Sequence, residues 1–144
     1  MSTEHRRGGA TETSFGGVAV RGQEVLVITP AGRRRITALP KGGAHHGETG
    51  EQAAGREVRE ETGVNVDVRE ALGEVSYTYR RGGRRIQKTV HFFLCSFLSG
   101  STSDHDHEVD EARWIPLQEA RTALSYPGER ELIERVLSKA ASGR

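Results

Sequence analysis

Three glutamates, Glu57, Glu60 and Glu61, stand within five residues of one another, and Arg56 directly precedes them. On a helix, residues three and four apart are neighbours, so these carboxylates would project from nearly one face. Left alone they repel one another and raise each other's pKa. A hard divalent cation would neutralise them, and Mg²⁺ takes oxygen ligands while keeping room for phosphate oxygens. Such an ion offsets the charge that protects a phosphoanhydride from water and acidifies a bound water. A glutamate hydrogen-bonded to that water could then act as general base. A glutamate triad at helical spacing by itself is more often a solvated acidic face. The surroundings decide.

They are specific. Residues 40–50 hold Pro40, Gly42, Gly43, Gly47 and Gly50, a loop whose backbone, including the Gly42 carbonyl, can approach an ion. Thr49 suits an N-cap, Gln52 completes a capping box, and Gly63 stands where a left-handed residue ends a helix. Ala53 and Ala54, one turn before the glutamates, are small enough to let the loop come close. From Gly42 the spacing reads G-x5-E-x7-R-E-V-x-E-E-x-G-V, filled by Glu48, Arg56, Glu57, Val58, Glu60, Glu61, Gly63 and Val64.

At every defined position this resembles the signature of the Nudix hydrolase family, and the flanking Leu39-Pro40-Lys41 resembles it too. The resemblance is strong over residues 36–65. It implies a MutT-like pyrophosphohydrolase dependent on Mg²⁺, with Mn²⁺ as the alternative ion. It further implies that Gly42, Glu57, Glu60 and Glu61 form the metal site. Glu57, Glu60 and Glu61 would share the catalytic work, Glu60 and Glu61 as ligands and Glu57 as ligand or base. Arg56 is expected to orient a glutamate, and Glu48 to support the loop–helix junction.

A scaffold must hold these groups. Residues 1–12 read as a flexible tail and residues 13–144 as a single domain. Strands are expected over 14–20, 24–28, 36–39, 64–68, 74–79 and 112–115. A turn at Arg81-Gly82-Gly83 leads into a long strand over 85–97. That strand is apolar on both faces, with Val90, Phe92 and Leu94 on one and Phe93, Cys95 and Phe97 on the other, as in a sheet covered twice. Residues 99–107 read as a flexible polar loop, and two helices close the chain. The expected fold is α/β: a Nudix-type α/β/α sandwich around a mixed, curved sheet.

Substrate signals are thinner. Segments 76–85, 88–93 and 120–127 resemble small bacterial Nudix enzymes that cleave diadenosine polyphosphates. Lys41, Arg85 and Lys88 are candidate phosphate contacts, joined by the basic runs at 33–35 and 80–85. Tyr77 or Tyr126 could stack on a base. Glu108 and Glu111 both stand upstream of Trp114, where the resemblance places a further acidic metal ligand. His45 and His46 are close enough to reach phosphate. His91 reads as a core histidine, and His105 and His107 as loop residues imitating a metal site. The alternatives are an oxidised nucleoside triphosphate or an ADP-ribose or nucleotide-sugar substrate. From another class comes a non-catalytic nucleotide sensor, which would be expected to lose box glutamates retained here.

Bulk properties agree with a globular chain: 144 residues, 34% hydrophobic, 28% charged, net charge +1. That balance offers no global argument for nucleic-acid or membrane partners, and no dedicated nucleic-acid-binding extension is visible. The partner expected is a small nucleotide or polyphosphate. One cysteine, Cys95, and no apolar leader point to a reducing cytoplasm.

Overall fold

The structure, a computed structural model, describes residues 9–142. These form six strands: β1 (Gly9–Arg21), β2 (Glu24–Pro30), β3 (Lys41–Gly42), β4 (Val64–Arg81), β5 (Arg84–Gly100) and β6 (Val109–Pro116). The three α-helices are α1 (Gly50–Thr62), α2 (Leu117–Ala123) and α3 (Pro127–Ser142). The strands make one sheet in the order β4-β5-β1-β2-β6, with β3 laid against β1. β1 and β5 run parallel from Gly9↔Arg85 to Val20↔Ser96, and the other pairs are antiparallel, so the sheet is mixed.

Both faces of this sheet are covered. Val58 of α1 packs with Ala19, Leu26, Val64 and Cys95 on one face. On the other, Leu132, Ile133 and Val136 of α3 pack with Val18, Val25, Val90 and Phe92. Successive strand residues point to opposite faces, which is why Phe93 and Phe97 turn toward α1 while Phe92 and Leu94 turn away. Each fully buried aliphatic or phenyl side chain contributes roughly 1.5–3 kcal/mol. The expected α/β/α sandwich is present. No helix among the described residues is long and apolar enough to cross a membrane.

Helix α1 begins and ends where its punctuation places it. The Thr49 side chain accepts from the Gln52 amide, the Gln52 side chain accepts from the Thr49 amide, and Gly63 takes the left-handed conformation at φ 80°. An L side chain at Gly63 would be strained there.

Four local expectations need correction. Residues 9–12 belong to β1, because the parallel ladder with residues 85–88 supplies their backbone partners; residues 1–8 of the expected tail lie outside the described residues. Segment 36–39 is not a strand but a single bridge, Ile28↔Ala38. Its Thr37 amide donates to Ser125 Oγ and its Thr37 carbonyl accepts from the Ser125 amide, so a side chain and a loop replace the ladder. Strands 64–68 and 74–79 are one strand, β4, carried through the interval by register shifts that bend it. Of the expected loop at 99–107, Ser99 and Gly100 end β5, and the remainder contains a 3₁₀ turn, Thr102–Asp104, and is tied to α1 by the Asp106 amide donating to the Glu60 carbonyl at 3.0 Å.

Candidate active site

Arg56 is the hub of the glutamate helix. Its Nε and Nη2 donate to the two oxygens of Glu48 at 2.7 and 3.0 Å. Its Nη1 donates to both Glu57 Oε2 and Glu60 Oε1 at 3.1 Å, and Nη2 reaches the Gly43 carbonyl at 2.8 Å. One guanidinium therefore ties the glycine loop to α1 and stands between two of the three glutamates. Glu48 also accepts from the His45 amide, and these donors hold its carboxyl down to about 2, Arg56 contributing most.

Glu57 and Glu61 sit deeper. Burial pushes the Glu57 carboxyl up, against the pull of Arg56, and the charges of Glu60 and Glu108 push the same way. Glu61 is 9% exposed and is pushed up to about 8, first by burial and then by the charge of Glu57. The Lys41 amide, donating to Glu61 Oε1 at 3.1 Å, opposes that shift. Gly42 lies so close to Glu57 that a Cβ there would fall inside the carboxylate. The backbone of the loop and the acid of the helix thus meet at one point.

The donor set fits a hard divalent cation. It consists of three carboxylates set against a single guanidinium, which Glu57 and Glu60 share with Glu48, and a backbone brought against Glu57 by a glycine. Among the described residues no three His, Cys, Asp or Glu side chains close into a cage by themselves. An open, oxygen-only set suits an ion that keeps waters and completes its shell with phosphate.

Beside this helix opens a cleft of about 390 Å³. Glu61 and Glu108 line it, as do Lys41, Lys88, Tyr77 and Tyr126. The Tyr77 and Tyr126 rings meet edge to face, centroids 5.0 Å apart, and the Lys41 ammonium lies over both. Lys88 pairs across the sheet with Tyr77, and burial depresses its ammonium. Arg33, from the first basic run, also lines the cleft.

Other candidates fall elsewhere. Arg85 lies opposite Arg80 near the hairpin turn and does not line the cleft. Glu111 is exposed and paired with Arg113 at 3.5 Å, so of the two upstream acids only Glu108 faces the cleft. His45 and His46 are exposed in the glycine loop. His91 is partly exposed, stacked on Phe15 at 5.6 Å and 3.7 Å from Glu74, rather than enclosed in the core. His105 Nδ1 meets the Asp106 carbonyl at 2.7 Å. Tyr79, part of the 76–85 segment but not among the expected substrate contacts, lines the cleft with its hydroxyl donating to Glu12 at 2.7 Å.

The residue with no sequence signal is Glu129. It is 0% exposed, yet it sits in the first turn of α3, where an acidic residue ordinarily reads as a helix-dipole complement. Its Oε1 accepts from the Leu39 amide at 2.9 Å, and its Oε2 accepts from Tyr77 at 2.5 Å and from Lys41 Nζ at 3.3 Å.

Comparison with known proteins identifies the family and the fold. The NUDIX domain model matches residues 11–136. A MutT4 protein of Mycobacterium tuberculosis (strain CDC 1551 / Oshkosh) is 44% identical over 132 residues, an alignment covering 85% of this chain and 53% of that protein. An 8-oxo-(d)GTP phosphatase of Mycolicibacterium smegmatis is 35% identical over 102 residues, covering 71% of this chain and 30% of that one. The chain thus spans about half, or less, of the length of these two relatives. A solved NUDIX hydrolase from Nitrosomonas europaea superposes with a TM-score of 0.71 at 22% identity, covering 89% of each chain. With the signature filled at every position, the glutamate helix set in an α/β/α sandwich and the family model spanning most of its length, this chain belongs to the NUDIX domain family.

Proposed function

We propose that this chain is a Mg²⁺-dependent pyrophosphohydrolase that cleaves a phosphoanhydride bond of a nucleoside polyphosphate. The observation that carries the reading is the cleft beside the glutamate helix, which is lined at once by the acids Glu61 and Glu108, the cations Lys41, Lys88 and Arg33, and the edge-to-face Tyr77–Tyr126 pair. Gly42, Glu57, Glu60 and Glu61 would hold Mg²⁺, and Mn²⁺ fits the same oxygen donors. The bound ion supplies charge neutralisation and acidifies water. Lys41, Lys88 and Arg33 bind the phosphate chain, and the tyrosines flank the base. Glu57, held by Arg56 beside Glu60, would accept the proton of the attacking water as the water oxygen bonds to phosphorus, the P–O bond of the anhydride breaks and the leaving phosphate departs.

A nucleoside triphosphate, as in the activity named for the Mycolicibacterium smegmatis relative, is the substrate class we favour, because the two tyrosines pack edge to face as one aromatic cluster, which offers a place for one base. The second reading, a diadenosine polyphosphate, is supported by three cations lining one cleft, which suit a longer phosphate chain. The cytoplasm is the proposed setting, where the lone thiol, buried Cys95, needs no partner.

The test is a Mg²⁺-dependent hydrolysis screen with product identification over 8-oxo-dGTP, diadenosine polyphosphates, ADP-ribose and an inositol pyrophosphate. Preference for 8-oxo-dGTP supports the first reading, and preference for diadenosine polyphosphates the second. Inactivity on every compound, with metal binding intact, would overturn the pyrophosphohydrolase reading in favour of nucleotide binding without chemistry.

A further inference from the structure

The segment Leu39-Pro40-Lys41 is held between two buried carboxylates that come from helices on opposite faces of the sheet. From the α3 side, Glu129 Oε1 accepts from the Leu39 amide at 2.9 Å. From the α1 side, Glu61 Oε1 accepts from the Lys41 amide at 3.1 Å. Between them the Pro40 carbonyl accepts from the Gly17 amide at 3.2 Å, which fastens the segment to β1. The Lys41 side chain then folds back, its Nζ donating to Glu129 Oε2 at 3.3 Å and to the Leu39 carbonyl at 3.5 Å.

A carboxylate with no exposed surface needs donors on both oxygens. A purely structural acid could take them from backbone. Glu129 instead turns one oxygen to Lys41 and Tyr77, two side chains that line the cleft. This sets their polarity. Tyr77 gives its only proton to Glu129, so its oxygen can offer a ligand nothing but lone pairs. Lys41 makes two hydrogen bonds within the protein and lies over the two tyrosine rings, so its three N–H donors exceed its hydrogen-bond partners by one that could serve phosphate. The same lysine carries, at its amide, the hydrogen bond to Glu61 on the glutamate helix.

We propose that Glu129 is a positioning residue that holds Lys41 and Tyr77 in place for the nucleotide and, through the 39–41 segment, links α3 to the glutamate helix. The effect on substrate rests on the pyrophosphohydrolase reading; the effect on Lys41 does not.

The experiment compares the full chain with Glu129→Gln, alone and in a Lys41→Met background. Amide and side-chain NMR signals of Lys41 and Glu61 are followed without nucleotide, and KM and kcat are measured on the substrate found by the screen. Glu129→Gln keeps the size of the side chain and its Oε1 acceptor. It is expected to shift the Lys41 and Glu61 signals and to raise KM about tenfold with kcat within about threefold. Once Lys41 is already methionine, only the Tyr77 contact remains to be lost, and the further rise in KM should shrink to about threefold. Unmoved Lys41 signals, an unchanged KM, or an equal KM rise in both backgrounds would overturn the proposal. Should Glu129→Gln fail to fold, Tyr77→Phe removes a single contact to Glu129 and should raise KM about threefold; an unchanged KM overturns the proposal there too. A wild-type chain inactive on every compound would sink the pyrophosphohydrolase reading, and the NMR comparison would still decide whether Glu129 holds Lys41.

Discussion

Arg56 and Glu48 meet edge to edge, with Nε 2.7 Å from Oε2 and Nη2 3.0 Å from Oε1, so the glycine loop is clamped to α1 eight residues further on. Two parallel charge-assisted bonds define an orientation as well as a distance. A lysine at position 56 could satisfy only part of that geometry and could not also bridge Glu57 and Glu60.

The clamp has a pH signature. Glu48 ionises at about 2 in the folded chain against 4.5 ordinarily, so folding favours its charged form. The stability it contributes is complete above about pH 4.5 and is lost as pH falls toward 2. Glu48→Gln should therefore melt at lower temperature than wild type at neutral pH, with the gap closing in acid. Thermal melts across that range check this; a gap independent of pH would mean the ion pair is not its source.

Glu61 has the opposite sign. Its folded carboxyl is raised to about 8, so the folded state favours the protonated form. Its contribution is present below about pH 4.5 and is lost as pH rises through 8. In metal-free solution the melting temperature of wild type should fall over that interval relative to Glu61→Gln, and added Mg²⁺ should remove the slope. Glu61→Gln should also keep the fold while lowering kcat by at least about 10²-fold. Retained turnover would remove Glu61 from the site.

Gly42→Ala tests whether loop and helix meet as described. The added methyl would fall inside the Glu57 carboxylate, so Glu57 must move. Circular dichroism should change little, while kcat drops about 10²-fold, the lower range for a displaced acid–base group. Normal kcat would show that Glu57 tolerates displacement and is not the base.

The two phosphate candidates on β5 separate. Lys88 lines the cleft and Arg85 does not. Lys88→Ala should raise KM about tenfold, most for substrates with the longest phosphate chain, and Arg85→Ala should change it less than twofold. Steady-state kinetics on the two single variants would decide. Equal effects would move the phosphate path toward the hairpin turn.

What could be read from the chain directly is what depends on neighbours in sequence. The capping box at Thr49 and Gln52, the left-handed Gly63 and the common face of Glu57, Glu60 and Glu61 follow from contacts three or four residues long. The two apolar faces of β5 follow from the period of a strand, which requires layers above and below. Cleft membership follows different rules. Lys88 and Arg85 are three residues apart, an odd step that sends their side chains to opposite faces, and only the pairing of Lys88 with Tyr77 settles which face is the cleft. Glu108 and Glu111 are equally plausible acids until β6 pairs with β2 and leaves Glu111 beside Arg113. Glu129 is an ordinary first-turn acid until α3 closes over Leu39, Lys41 and Tyr77 and buries it among them. Local backbone geometry is encoded within a turn or a few residues, whereas the company a side chain keeps depends on which distant faces and registers meet, and that is decided only when the sandwich closes.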